Sequence, residues 1–147
     1  MSSVRVRRLS WAAVALTAGL VVSLGTWAGG ATTPHLVVTP AAGLVNGSTV
    51  RVSGTGFKPH DSVFIVECLT TAKGAPGCAI GNATPVTITA KGVLPTTKFK
   101  VATGTIGSGK GKGKCGTKAS NLKGCEVSAG NADGKDTAAA PIKFKIK

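Results

Sequence analysis

Past residue 31 the chain alternates rather than winds. No 3.6-residue apolar period lasts two turns, while period-two alternation recurs throughout. "LVVT" (36–39) is a first short strand, stopped by Pro40. "TVRVSGTGF" (49–57) sets Val50 and Val52 on one face and Arg51 on the other. "SVFIVEC" (62–68) is apolar on both faces, as a central strand would be. "PVTIT" (85–89) offers Val86 and Ile88, "TKFKV" (97–101) Phe99 and Val101, and "CEVSA" (125–129) Val127. "PIKFKIK" (141–147) alternates Ile142, Phe144 and Ile146 with three lysines.

Turn-rich segments such as "GLVNGS", "GFKPHDS" and "GNADGKD" separate these runs. The pattern predicts an all-β fold: a seven-stranded antiparallel immunoglobulin-like β-sandwich. Of the four phenylalanines, Phe64, Phe99 and Phe144 are expected in the core and Phe57 at a strand end. The longest interruption, residues 102–125, is rich in Gly and Lys. It is expected to be a mobile loop as far as Cys115.

The amino end reads differently. Arg5, Arg7 and Arg8 precede a stretch without charge from Leu9 to Pro34, with small residues at 28–31. A basic start, an apolar middle and small residues at the end describe a secretory signal peptide over 1–30, leaving a domain over 31–147. The alternative is an uncleaved anchor, since about 20 apolar residues span a bilayer. Ser10, Thr17, Gly19, Ser23, Gly25 and Thr26 dilute the run and favour cleavage. On that reading the domain is secreted and monomeric, with no stable membrane span.

Export makes the four cysteines a disulfide-competent set. The pairs 68/78 and 115/125 each enclose nine residues and lie far from one another, so Cys68–Cys78 and Cys115–Cys125 is the simplest of three pairings. A bridge closing so short a loop is worth about 3 kcal/mol by chain entropy. Zinc is the rival, but neither pair has a two-residue spacing and no His lies near. An antibody domain would join its two sheets by a bridge packed on Trp. Here both pairs are local and both Trp lie in the leader, so the bridges read as loop staples.

Charge adds a second theme. The whole chain carries +13, and residues 31–147 hold 15 Lys plus Arg against five acids, a net +10. Lys110, Lys112, Lys114, Lys118 and Lys123 gather around the second staple. They make either a solvated loop or a contact for polyanions such as DNA, cell-wall polymer or a membrane surface. Lysine without paired Arg or exposed aromatics would bind without reading sequence. "GTIGSGKG" (104–111) approaches a phosphate-binding loop, but position 111 is Gly where Ser or Thr should hold magnesium. A flexible basic loop is the better reading. His60-Asp61 reads as a turn, and nothing resembles a catalytic triad, so an enzyme is not expected. Asn46-Gly-Ser48 and Asn82-Ala-Thr84 have the form of glycosylation acceptors and read as turns.

"VVTPAAGLVNGSTVRVSGTGF" resembles the opening of the neocarzinostatin family, secreted apoproteins that carry enediyne antibiotics. Val38, Thr39, Pro40, Gly43, Leu44, Gly47, Val50, Val52, Gly54 and Gly56 follow the family's order, and the first cysteine pair has its spacing. "CEVSAGNADG" and "IKFKI" resemble its last cysteine, Gly/Asn-rich turn and closing strand.

The resemblance implies a seven-stranded sandwich with a cleft between the 68–78 hairpin and the 102–125 loop. That cleft would hold a hydrophobic, DNA-damaging small molecule, an enediyne-type chromophore bound non-covalently, with an antimicrobial role. By spacing, Thr70 stands where the family has Trp, Pro76 where it has Leu, and Ala83 where it has Phe. Glu126 replaces Gln, and Gly130 keeps a small residue. The family's aromatic loop before the third cysteine becomes "GTIGSGKGKGK". A different class of function is an extracellular or envelope-associated module that uses the lysine loop on anionic polymers and carries no chromophore.

Overall fold

A computed structural model describes residues 32–71, 73–117 and 124–145. The expectations for the leader, Lys118, Lys123 and Ile146 therefore lie outside the described residues. Nine strands appear among the described residues. These are β1 (His35–Thr39), β2 (Thr49–Thr55), β3 (Ser62–Leu69), β4 (Thr84–Thr87), β5 (Leu94–Lys100), β6 (Gly104–Ile106), β7 (Gly113–Cys115), β8 (Cys125–Gly130) and β9 (Thr137–Ile142).

Two antiparallel sheets, β1-β2-β5 and β4-β3-β8-β9, face one another across a core that includes Val50, Val52, Val63, Ile65, Leu94, Phe99, Val127 and Ile142. The inward residues are those the alternation selects: burial in β2 switches with each step along Thr49–Val52, and β1 repeats the rhythm. Both sheets protect their edges. Pro85 in β4, Pro141 in β9 and Pro95 in β5 each remove a backbone donor from an edge strand.

The structure departs from the expected elements in two places. The closing strand is "TAAAPI" (137–142) rather than 141–147. Ala138 and Ala140 are half-buried and Ile142 is buried, so the alternation is real, but three alanines hide it from a hydropathy reading. Phe144 stays buried beyond the strand, bridging to Leu44. The 102–125 interruption is not an open loop over its described part. It contains a third, two-stranded sheet of β6 and β7, joined by a 3-10 turn at Gly109–Gly111. The seven strands of the sandwich thus carry an appended hairpin.

Both staples form as disulfides, Cys68–Cys78 and Cys115–Cys125, each 10 residues apart in sequence. Neither joins the two large sheets.

Candidate functional site

A lateral cleft of about 750 Å³ lies on the outer face of the four-stranded sheet. That is the size of a small-molecule site. Its position follows from strand parity. Val63, Ile65 and Glu67 of β3 point into the sandwich, so Phe64, Val66 and Cys68 point out and form the floor. Gly130, Ser128 and Glu126 of β8 stand opposite them in register and continue that floor.

Phe64 was expected in the core. It is instead 42% exposed and lies in the cleft, because it is out of phase with Val63 and Ile65. Ile80, 54% exposed, faces the same space.

Two walls rise from the floor. One is the segment closed by Cys68–Cys78 together with the turn that follows it, the first contributing Gly74 and Ala75 and the second Ile80 and Ala83. It is compact because Ala75–Gly77 and Ile80–Asn82 are 3-10 turns, and because Ala79 N–H donates to the Glu67 carbonyl at 2.8 Å. The other wall is the β8–β9 turn, Asn131 to Gly134, with Thr137. Asn131 organises it. Its side-chain oxygen accepts the N–H groups of Lys135 and Asp136, and its amide donates to Asp61 at 2.9 Å. Asp136 in turn accepts the Lys58 N–H, also at 2.9 Å.

Of the residues carried over by spacing, Ala83, Glu126 and Gly130 line this cleft. Thr70 and Pro76 do not. The Thr70 N–H donates to the Gly124 carbonyl, and the Pro76 carbonyl accepts the Ser108 N–H, both at 2.7 Å. Pro76 therefore faces the β6–β7 hairpin. Of the loop expected as the second wall, the described residues 102–117 do not line this cleft, and residues 118–123 lie outside the described residues. Gly111 sits so close to Pro76 that a Cβ there would meet its carbonyl oxygen at 2.5 Å, which pins the hairpin behind the first disulfide segment.

Lys110, Lys112 and Lys114 are exposed on this hairpin. The near-phosphate-loop sequence becomes β6 and a 3-10 turn with no helix after it.

The cleft is apolar with an acidic rim. Among the described residues Glu126 and Asp133 are its charged lining residues, and no lysine lines it. Partial burial pushes the Glu126 carboxyl above its ordinary value, while a hydrogen bond from the Ser128 hydroxyl acts weakly in the other direction.

A second carboxyl escaped the sequence reading. Glu67 is buried at 2% exposure on the inward face of β3. One oxygen accepts the Ala102 N–H at 2.8 Å and the other has no hydrogen-bond partner. Burial raises this carboxyl to about 7, with the Ala102 bond opposing. The signal was its phase: Glu67 shares the parity of Val63 and Ile65 in "SVFIVEC".

These features define a class: a small disulfide-stapled β-sandwich that offers a lateral, largely apolar cleft on one sheet. The model of the neocarzinostatin family matches residues 36–144, and the chain belongs to that family of carrier apoproteins. Macromomycin of Streptomyces macromomyceticus is 33% identical over 134 residues, covering 88% of each chain. The solved structure of macromomycin superimposes with a TM-score of 0.61 at 32% identity, covering 77% of this chain and all of the other. The solution structure of apokedarcidin gives 0.53 at 29% identity, covering 77% of this chain and 99% of the other.

Proposed function

We propose that the protein is a secreted carrier that sequesters a hydrophobic small molecule, of the enediyne chromophore type, without forming a bond to it. The observation that carries this reading is the pair Phe64 and Ile80, left exposed within a walled cleft of about 750 Å³ whose floor Val66 continues. Apolar surface of that kind has no role in the packed core, and burying it under a ligand is favourable.

The acidic rim adds a preference. Glu126 and Asp133 favour a ligand whose apolar body carries a hydrogen-bond donor or a cationic group. The short disulfide segment and the Asn131 turn hold the walls in place before a ligand arrives, which reduces the ordering cost of binding. Family membership supports the same reading, as does the leader expected from the sequence. The antimicrobial role is that of the cargo, which the protein would shield from water and thiols.

The test is native purification from the producing cells, followed by extraction with organic solvent and mass spectrometry. An absorbing, extractable small molecule in stoichiometric amount is the expected result. A colourless protein with no extractable ligand, and no affinity for polycyclic apolar probes, would sink the proposal.

A further inference from the structure

The chain has only five acidic residues, and their places reveal a polarity that the net charge conceals. Asp61, Asp133 and Asp136 lie at one end, around the start of β3 and the β8–β9 turn, where Lys58, Lys91 and Lys135 also stand. Glu126 lines the cleft and Glu67 is buried inside. The outer face of the three-stranded sheet has no acid at all.

On that face Arg51 of β2 stands directly opposite Lys98 of β5, and Lys100 stands opposite Thr49. All three cations are exposed. Like charges facing across a strand pair repel, and nothing in the sequence offsets them. The segment after β9, hydrogen-bonded to the adjoining β1–β2 loop, brings two more. Lys143 N–H donates to Ala41, and Lys145 N–H to Leu44, at 2.8 and 2.7 Å. Both side chains alternate outward from buried Ile142 and Phe144.

Apolar side chains stand among these cations. Of the four exposed large hydrophobic residues among those described, Phe64 and Ile80 belong to the cleft. Val37 and Val45 belong here: Val37 is on β1, 45% exposed, and Val45 is in the β1–β2 loop, 43% exposed.

We propose that this face docks on an anionic lipid bilayer, with Arg51, Lys98, Lys100, Lys143 and Lys145 on the headgroups and Val37 and Val45 at the interface. Cations attract anionic headgroups, and apolar side chains between them gain by entering the headgroup layer. A soluble phosphate polymer would offer the valines nothing. A nucleic acid would also find no groove-entering element and no stacking aromatic on this face. The plate is roughly 10 Å across its three strands. It lies on the opposite side of the sandwich from the cleft, so the docked protein keeps its cleft directed away from the bilayer. The proposal is independent of what the cleft holds.

The experiment is co-sedimentation of the full chain with vesicles of phosphatidylcholine, with and without phosphatidylglycerol, at low and high salt. Any affinity of the leader is common to every arm. The unsubstituted chain is expected to bind the anionic vesicles, more weakly at high salt. R51A/K98A/K100A should lose roughly 100-fold in affinity, while its thermal unfolding stays unchanged. V45W should add a blue-shifted emission on anionic vesicles relative to the unsubstituted chain. Equal binding of the triple variant would overturn the proposal. So would equal binding to phosphatidylcholine alone. Binding to duplex DNA that depends on the same three cations, with no V45W response on vesicles, would overturn it in favour of a nucleic-acid surface.

Discussion

At the scale of the residue, two side chains of β3 define what the sandwich can do. Phe64 is out of phase with the core and supplies cleft surface. Phe64→Ala should cost about tenfold in affinity for an apolar polycyclic probe, and less than about 1 kcal/mol of stability. Probe titration and thermal unfolding of the same sample check both. A large stability loss with unchanged binding would return Phe64 to the core.

Glu67 carries the opposite burden. The unfolded carboxyl ionises near 4.5, while the folded one keeps its proton until about 7. The native state therefore binds more protons between those values, and stability falls as pH rises through that window, by up to about 3 kcal/mol, then levels off. Glu67→Gln should flatten the slope in denaturation curves taken from pH 4.5 to 8. An unaltered slope in E67Q would assign the effect elsewhere.

Parity was legible in "SVFIVEC", and reading it in full would have found both residues. It was obscured because Phe64 and Val66 are as apolar as Val63 and Ile65. Hydropathy alone cannot say which face of such a strand is covered by the opposite sheet and which by a ligand.

At the scale of the element, most strands of the two large sheets were legible because buried β-branched or aromatic residues alternate with polar ones. The β6–β7 hairpin was not. Its three-residue strands, "GTI" and "GKC", each offer one buried side chain, Ile106 and Cys115, too little for a period. Tertiary contact holds it: glycines let its backbone approach Pro76 and Leu69. Among the carried-over positions, Ala83, Glu126 and Gly130 line the lateral cleft. Pro76 does not, since the hairpin packs on it. Gly111→Ala should consequently cost about 1–3 kcal/mol through overpacking, and should open 104–115 to proteolysis. Gly81→Ala, where a Cβ meets nothing within 4 Å, is the control and should change little. Equal effects of the two would mean that the hairpin does not depend on this approach.

At the scale of the whole molecule, the two staples look alike in sequence and serve different regions. Cys68 and Cys78 belong to the cleft lining, whereas Cys115 and Cys125 are fully buried in the core and tie the appended hairpin to β8. Removing either bridge should lower stability by about 3 kcal/mol on loop-entropy grounds. Their effects on binding should separate. Cys68→Ala with Cys78→Ala should abolish probe binding under conditions where the protein stays folded, and Cys115→Ala with Cys125→Ala should leave it within about threefold. Two identical binding losses would show that the hairpin shapes the cleft after all.

The Asn131 turn gives the cleft a fixed jamb. Its hydrogen bonds reach Asp61 and, through Asp136, Lys58, so it is anchored to the corner where the chain passes from one sheet to the other. The facing side is held by the Cys68–Cys78 bridge as well as by the backbone hydrogen bonds of Ala79 and Pro76. A cargo leaving without unfolding its container would therefore pass beneath residues 74–83, and a reducing environment would loosen that door while its frame stayed put.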